Sequence, residues 1–218
     1  PARYRAVVVD WGGVLTAPLQ GAWEAWADAD GVDLDHFGQL LAHWRELARG
    51  EAGTGPDAGP VAALERGEIT TAEFETRVAD ELGRLGSPVS AAGLLGRMLA
   101  GLEERDEEMF AVLHRARSQG VKLALLSNSW GNTYDRRGWQ DLFHAVVISG
   151  EVGMRKPEAR IFRHACAALG MEPEACVMVD DLPWNIEAAA EVGMGAVLHT
   201  SAESTALELE RLLAVALR

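Results

Sequence analysis

Five short apolar runs, each bounded by turn residues, constrain the fold of this 218-residue chain more than any other feature. They are short and almost continuously apolar, which is typical of strands buried on both faces of a parallel sheet. The runs are Ala6–Val9, Lys122–Leu126, Ala145–Ser149, Ala175–Val179 and Gly195–His199. Segments with helical periodicity separate the last four runs. This alternation predicts an α/β fold with a parallel sheet and right-handed crossovers.

The long segment between the first two runs breaks this alternation and reads as entirely helical. Within it, Thr70 followed by Glu73 has the pattern of a capping box. Later in the chain, Pro157 and Pro183 are each expected to open a helix, because proline is tolerated in a first turn. We therefore predict a core formed by residues 1–16 and 100–218, and a helical cap formed by residues 17–99.

Composition and charge exclude several classes of function. A net charge of −13 repels phosphate backbones, so nucleic acid is not expected as a partner. The chain shows no signal-peptide pattern, and no apolar run approaches the ~18 residues of a membrane span. We expect a cytoplasmic protein with no membrane partner. Cys166 and Cys176 do not form a CxxC pair and are expected to be buried thiols.

Polar side chains follow three of the apolar runs and precede one predicted helix. They are Asp10 after the first run, Ser127 and Asn128 after the second, Lys156 before the helix that follows the third, and Asp180 and Asp181 after the fourth. In an open parallel sheet, ligands bind outside the carboxyl ends of the strands, where the strand order reverses. We therefore expect three carboxylates, one hydroxyl, one amide and one ammonium group to converge there.

This set of groups indicates a chemistry. Neighbouring carboxylates cannot all stay ionised without a cation, and Mg²⁺ takes one or two carboxylates together with substrate phosphate. Lys156, Ser127 and Asn128 would then hold phosphate oxygens. Gly12 and Gly13 would let backbone N–H groups approach the same anion. The residues thus predict Mg²⁺ as the cofactor and a small phosphorylated metabolite as the ligand.

Four motifs together resemble the haloacid dehalogenase-like (HAD) hydrolase superfamily. They are "VVVDWGGVLT", "LALLSNS", "RKPEARIF" and "VMVDDLPWNIEAA", in the order and with the spacing of that family. The segment "LERGEITTAEF" resembles the helical cap of the subgroup that includes the N-terminal phosphatase domain of soluble epoxide hydrolase. The resemblance implies a Rossmann-like, five-stranded parallel sheet of order 5-4-1-2-3, with helices on both faces and the cap inserted after the first strand.

The resemblance also implies a role for each residue of the site. Asp10 would be the nucleophile that forms an aspartyl-phosphate. Asp10, the backbone carbonyl of Gly12 and Asp181 would hold the metal, with Asp180 sharing this task or supporting it. Lys156 would act in catalysis by offsetting their negative charge. The groups that would bind the transferring phosphoryl group are Ser127, Asn128, Lys156, Gly12 and Gly13. Asn185 would brace the Asp181 loop.

Gly12 departs from the pattern of the family. The usual first motif is Asp-x-Asp, and its second aspartate protonates the leaving group and then activates water. The glycine removes this carboxylate, and general acid–base catalysis is typically worth ~10²–10⁴-fold. The fold, the metal site and the phosphate site do not depend on the missing group. Hydrolysis of esters with poor leaving groups does depend on it.

Three functions remain open after this departure. The first, which we favour, is a slow or specialised phosphatase that hydrolyses a phosphoric monoester through an aspartyl-phosphate intermediate on Asp10. The second is a HAD-fold protein that binds a phosphorylated ligand and has largely lost turnover. The third is a haloacid dehalogenase; such relatives also lack the second aspartate, but they use no metal, whereas Asp180 and Asp181 suit one.

Aromatic and basic residues near the predicted loops allow further interpretations. Tryptophans 11, 130 and 184 would pack between cap and core or form an aromatic wall that favours an apolar leaving group, and we favour packing. Arg45 and Arg49 would reach a second anionic group or form a solvated helix face, and we favour the solvated face. The tryptophans of the cap are also compatible with a homodimer that covers exposed aromatic side chains.

Overall fold

The computed structural model describes residues 3–48, 59–102, 104–131 and 133–218. Arg49 lies outside these residues. Five parallel strands form one sheet, and they are β1 (Ala6–Val9), β2 (Lys122–Ser127), β3 (Ala145–Ile148), β4 (Cys176–Asp180) and β5 (Gly195–Leu198). Their order in the sheet is β3-β2-β1-β4-β5, which confirms the predicted order. This order places β1 and β4 side by side.

Helices connect these strands and fill the insertion after β1. Before β2 lie α1 (Leu19–Asp30), α2 (Leu34–Leu47), α3 (Pro60–Glu65), α4 (Thr71–Leu85), α5 (Leu94–Met98) and α6 (Glu107–Ser118). After β2 lie α7 (Trp139–Leu142), α8 (Ser149–Val152), α9 (Ala159–Ala168), α10 (Pro183–Glu191) and α11 (Ala202–Leu213), with a 3₁₀ turn at Pro173–Ala175. Across the described ranges, none of the helices has the length and apolar character needed to cross a membrane.

The central strand β1 is buried on both faces because its four residues are all apolar. Side chains alternate along a strand, so Val7 and Val9 pack into one apolar cluster with α6 and α11. Ala6 and Val8 pack into a second cluster on the opposite face with α9. The sheet therefore forms the middle layer of three, as its continuous apolar runs predicted.

The inserted helices α1–α5, which we call the cap helices, have an apolar cluster of their own. Its aromatic members include Trp26, Phe37, Trp44 and Phe74, all of which are buried. Trp26 and Trp44 therefore need no second subunit to cover them. The chain enters and leaves the cap helices at adjacent points, where Thr16 forms an isolated β-bridge with Arg105.

The local signals were correct at some element ends and wrong at others. Thr70 and Glu73 form the predicted capping box, and Pro183 opens α10 as expected. The expectation that Pro157 opens a helix was wrong, because α9 begins at Ala159 with Glu158 as its N-cap. Ser149 was predicted as the end of a strand, but it begins α8, and its hydroxyl accepts a hydrogen bond from the Ser129 amide.

Candidate active site

The loop after β1 presents Asp10 at the carboxyl end of the central strand. The Asp10 amide continues the ladder by donating to the Val179 carbonyl at 3.0 Å. Its Oδ1 accepts a hydrogen bond from the Trp11 amide at 2.7 Å, and the Leu15 amide closes the turn on the Trp11 carbonyl. The residue is only 7% exposed, so strand β1 leads into a carboxylate that the backbone holds in one orientation.

Lys156 joins two of the carboxylates. Its Nζ lies 2.7 Å from Asp10 Oδ1 and 2.7 Å from Asp180 Oδ2, and the residue is 1% exposed. Burial alone would lower the pKa of Lys156, but Asp10 and Asp180 hold it above its ordinary value. The ammonium group therefore stays charged and fixes the spacing of both carboxylates.

Asp180 is fully buried, and both of its carboxylate oxygens accept hydrogen bonds. Leu182 donates its amide to Oδ1 at 2.9 Å, and the Asn185 amide group donates to both oxygens at 3.0 Å. Lys156 supplies the remaining contact to Oδ2. Asn185 thus holds Asp180, whereas we had expected it to brace the Asp181 loop. This arrangement allows Asp180 to hold the ammonium group of Lys156 in position.

Asp181 lies next to Gly13, which has a left-handed backbone conformation with φ of +74°. A Cβ atom at Gly13 would lie 2.4 Å from Asp181 Oδ2, so only glycine leaves room for this carboxylate. By contrast, a Cβ atom at Gly12 would meet nothing within 4 Å. Packing therefore requires glycine at position 13 but not at position 12.

The three carboxylates form a cluster that fits a divalent cation. One oxygen from each of Asp10, Asp180 and Asp181 lies within 4.8 Å of the others. Burial raises the pKa of Asp10 to about 8, with Asp180 adding to the effect and Lys156 opposing it. Burial and the charge of Asp180 raise the pKa of Asp181 to about 6. A single ammonium group leaves excess negative charge, and oxygen ligands of this kind suit Mg²⁺.

The groups expected to bind phosphate lie beside this cluster. Ser127 is buried, and its hydroxyl lies 2.9 Å from the Tyr134 hydroxyl. Asn128 and Lys156 exchange two hydrogen bonds: the Asn128 amide group donates to the Lys156 carbonyl at 3.1 Å, and the Lys156 amide donates to Asn128 Oδ1 at 2.9 Å. Asn128 therefore holds the backbone of Lys156 in place while it lines the same site.

Tyr134 is a residue of the site that the sequence patterns did not reveal. It lies in the loop between β2 and α7, and its ring packs edge-on against Trp11 at 6.0 Å between centroids. Burial raises the pKa of Tyr134 above its ordinary value although Ser127 hydrogen-bonds to it. The phenol therefore stays protonated and can donate a hydrogen bond. In the sequence, Tyr134 is marked only by its position shortly after Ser127, which ends β2, and Asn128.

All eight residues predicted for the site lie at this edge of the sheet. Six of them line a single cavity, and they are Asp10, Gly12, Ser127, Asn128, Lys156 and Asp181. The other two contact residues that line the cavity: Asp180 contacts Lys156, and Gly13 adjoins Asp181. The cavity has a volume of about 1410 Å³ and extends from Asp10 to the cap helices.

Two ion pairs, each with one buried and one partly buried partner, connect the cap helices to the core beside this cavity, and we call these four residues the cap latch. Glu65 accepts from the Arg155 guanidinium at 2.5 Å, and Arg66 donates to Glu158 at 2.7 Å. Trp130 adds a hydrogen bond from its indole N–H to Glu65 at 2.9 Å. The side chains of Glu65 and Arg66 come from the end of α3, whereas their partners come from the segment around Lys156.

Comparison with known proteins places this geometry in a family context. The family model described as haloacid dehalogenase-like hydrolase matches residues 4–193. The sesquiterpene phosphatase astK of Aspergillus oryzae is 25% identical over 96% of this chain and 96% of its own length. Bifunctional epoxide hydrolase 2 of Sus scrofa is 25% identical over 98% of this chain, which spans 39% of that protein.

The chain spans only 19% to 39% of the length of several curated relatives that it matches, this epoxide hydrolase among them. A solved structure of a HAD family enzyme from Bacteroides thetaiotaomicron, in complex with magnesium and inorganic phosphate, is 22% identical, with a TM-score of 0.61. It covers 90% of this chain and 94% of its own, and at this identity the likeness shows the fold alone.

Proposed function

The chain belongs to the haloacid dehalogenase-like hydrolase family, and we propose that it is a Mg²⁺-dependent phosphatase that acts on a small phosphorylated metabolite through Asp10. The observation that carries this proposal is the contact between Asp10, the buried ammonium group of Lys156 and the neighbouring carboxylates. The sesquiterpene phosphatase of A. oryzae, which aligns over nearly the whole chain, is named for the same type of reaction.

In the proposed reaction, a carboxylate oxygen of Asp10 attacks the phosphorus atom of the substrate. Because Asp10 Oδ1 already accepts hydrogen bonds from Trp11 and Lys156, we assign the attack to Oδ2. A bond forms between Oδ2 and phosphorus, and the bond to the leaving oxygen breaks with its electron pair. Water then attacks the phosphorus of the aspartyl-phosphate, which releases inorganic phosphate and restores the carboxylate.

The other residues position the phosphoryl group and stabilise its charge. Lys156 and the Ser127 hydroxyl hold phosphoryl oxygens, Asn128 fixes Lys156, and the backbone of Gly12 and Gly13 contributes N–H groups. Asp10, the Gly12 carbonyl and Asp181 would hold the metal, and Asp180 positions Lys156. When bound, Mg²⁺ would offset the charge of the carboxylates and of the phosphoryl oxygens.

The first motif supplies no acid to protonate the leaving group, because Gly12 has no side chain. The enzyme therefore acts best on phosphates whose leaving oxygen needs little protonation, such as acyl or anomeric phosphates. Water or the substrate itself supplies a proton to other leaving groups. This restriction makes the enzyme slow or specialised, since general acid catalysis is typically worth ~10²–10⁴-fold.

Two alternatives are weaker. The absence of a carboxylate at Gly12 is compatible with a protein that binds a phosphorylated ligand without hydrolysing it. Such a protein would use the same phosphate-binding groups and the same carboxylates. A haloacid dehalogenase would attack carbon and needs no cation. The clustering of Asp180 and Asp181 with Asp10 around one lysine does not suit that reaction, because it leaves buried negative charge uncompensated.

The experiment that tests the proposal measures phosphate release with Mg²⁺ across aryl, acyl and alkyl phosphates. Asp10→Asn, which keeps the shape of the side chain, serves as the background control. We expect turnover of the activated substrates that disappears in the variant and on removal of Mg²⁺. Equal release by both proteins would reject the phosphatase and leave ligand binding as the function.

The remaining expectations from the sequence form part of the same proposal. We assign residues 1–16 and 100–218 to the core and residues 17–99 to the cap, since Thr16 and Arg105 meet where the chain passes between them. A cytoplasmic location and a homodimer also remain predictions. Size-exclusion chromatography with light scattering decides the oligomeric state.

A further inference from the structure

The cavity above Asp10 is larger than a small polar metabolite needs. Its volume of about 1410 Å³ exceeds the ~300–1,000 Å³ of ordinary ligand pockets. Five of the seven tryptophans line it, and they are Trp11, Trp23, Trp44, Trp130 and Trp184. These side chains also pack against other aromatic residues, and the faces that they present to the cavity suit a ligand with a large apolar group.

The side of the cavity formed by the cap helices is also apolar. Leu41 of α2, Val61 of α3 and Leu99 after α5 line it and are only partly buried. These side chains pack against the apolar cluster of the cap on one side and face the cavity on the other. An apolar ligand would cover surface that water otherwise contacts.

The arginines that line the cavity already have partners. Arg155 pairs with Glu65, and Arg137 lies 2.6 Å from Asp135. Arg45 lies over the ring of Trp184 at 4.8 Å, and Arg105 over the ring of Phe110 at 5.1 Å. The charges of Arg155 and Arg137 are offset by Glu65 and Asp135, whereas stacking leaves N–H donors of Arg45 and Arg105 available. The apolar side chains between these arginines and Asp10 suit a substrate whose remainder is largely uncharged.

The missing acid at Gly12 restricts which kind of oxygen can join the phosphate to the apolar part of the substrate. An alkoxide leaves poorly without protonation, whereas a carboxylate or a phenolate leaves readily. We propose, on the premise that the chain is a phosphatase, that its substrate is the monophosphate of a large apolar carboxylic acid or phenol. The phosphate lies at Asp10, and the hydrocarbon or ring system lies against Trp44, Leu41 and Leu99.

In the reaction, Asp10 takes the phosphoryl group and the apolar carboxylate or phenolate departs with the electron pair of the broken P–O bond. Water then hydrolyses the aspartyl-phosphate. No oxidant, reductant or further reactant is required. The carboxylate product needs no proton, and a phenolate takes one from water.

The test compares substrates in matched pairs, large against small, with phosphate release measured as kcat/KM after subtraction of the Asp10→Asn background. The pairs are a medium-chain acyl phosphate with acetyl phosphate, naphthyl phosphate with phenyl phosphate, and a medium-chain alkyl phosphate with ethyl phosphate. We expect the large member to exceed the small one by about tenfold or more in the acyl or the aryl pair. The pair with the greater ratio distinguishes the acid from the phenol.

The outcomes separate this inference from the phosphatase proposal. Turnover of acetyl or phenyl phosphate with no preference for the large member overturns the inference and leaves the phosphatase intact. If no substrate is turned over, binding of the medium-chain alkyl phosphate and of inorganic phosphate to the Mg²⁺-loaded protein is compared by tryptophan fluorescence. Tighter binding of the alkyl phosphate then supports the apolar ligand although the phosphatase fails, and equal binding overturns both.

A matched pair of variants locates the preference in the cavity. Leu41 lines the cavity, whereas Leu34, on the same helix, is 44% exposed and is not among the cavity residues. We expect Leu41→Gln to lower the ratio of large to small substrate by about threefold or more, and Leu34→Gln to leave that ratio as it is. An equal effect of the two substitutions would place the apolar group elsewhere.

Discussion

Two groups of buried and partly buried charged side chains lie side by side in this molecule, and their positive and negative charges are balanced differently. The catalytic cluster of Asp10, Lys156, Asp180 and Asp181 has three carboxylates and one ammonium group. The cap latch has two carboxylates and two guanidinium groups. Arg155 of the latch and Lys156 of the cluster are adjacent in the chain, so neighbouring cations serve the two groups.

The pKa values of the carboxyl groups show the consequence of this difference in charge balance. Burial raises the pKa of Asp10 to about 8 and that of Asp181 to about 6. In the latch, burial alone would raise the pKa of Glu158, but hydrogen bonds from Arg160 and Arg66 hold it below its ordinary value. The charges of the latch are thus offset by the protein itself, whereas the cluster keeps excess negative charge, which is the basis for the cation that we propose there.

The largest expected effect separates activity from stability within the cluster. Asp10→Asn should lower phosphate release by on the order of 10⁴-fold or more, because the nucleophile is lost. Its free energy of unfolding without Mg²⁺ should fall little, since burial disfavours the ionised form of Asp10 and the asparagine oxygen can still accept from Lys156 and Trp11. Chemical denaturation beside the activity assay measures both. A marked loss of stability would show that the charge on Asp10 holds the fold.

The next effect compares the two adjacent cations. Lys156→Met leaves Asp10 and Asp180 without their ammonium partner, and Arg155→Met leaves Glu65 without its guanidinium partner but with the hydrogen bond from Trp130. Removing one partner of a buried pair costs about 3–5 kcal/mol of unfolding free energy. We expect Mg²⁺ to recover part of this loss in Lys156→Met and none of it in Arg155→Met.

Denaturation of both variants with Mg²⁺ and with a chelator provides the measurement. The wild-type protein under the same two conditions is the control. Equal recovery in the two variants would mean that the cation does not act at the cluster, and the contrast between cluster and latch would then be lost.

A smaller effect comes from restoring the missing acid. Gly12→Asp should raise turnover of alkyl phosphates by up to ~10²-fold, because a Cβ atom at this position meets nothing within 4 Å and a carboxyl group would supply the leaving-group proton. Acyl phosphates should gain little, since their leaving group needs no proton. The quantity measured is the ratio of kcat for the two substrate types.

Gly13→Ala is the matched control for this gain. A Cβ atom at Gly13 would lie 2.4 Å from Asp181 Oδ2, and the backbone there has a positive φ. We expect this variant to lose activity and the stabilisation by Mg²⁺. A Gly12→Asp variant that folds, binds Mg²⁺ and shows no gain on alkyl phosphates would reject the missing acid as the cause of slow turnover.

Most residues of the catalytic cluster could be predicted from the sequence, because their meeting point follows from the order of the strands. The carboxyl ends of neighbouring parallel strands meet at one edge, so the order of the strands brought Asp10 and Asp180 together with Lys156. The ion pairs of the latch were not predicted, although their residues lie in the motifs "LERGEITTAEF" and "RKPEARIF", because no local pattern reports contacts between residues 90 and 92 positions apart. The cavity volume and the space at Gly12 likewise depend on how cap and core pack in three dimensions.

Tyr134 shows the same limit at the scale of one side chain, and it gives the smallest expected effect. Its hydroxyl lies 2.9 Å from Ser127 Oγ, and burial keeps the phenol protonated. We expect Tyr134→Phe to lower kcat by about tenfold, since a hydrogen bond that orients a phosphate-binding hydroxyl is worth ~1 kcal/mol or slightly more. The free energy of unfolding should change little, because the ring still packs against Trp11 and Trp139.

Ser127→Ala and the double variant complete a thermodynamic cycle with Tyr134→Phe. If the tyrosine acts by orienting Ser127, its substitution should have no further effect once the serine hydroxyl is gone. If the double variant instead loses the product of both effects, the Tyr134 hydroxyl acts on the substrate independently. In that case the Tyr134 hydroxyl is a second hydrogen-bond donor at the reacting phosphate, beside Ser127.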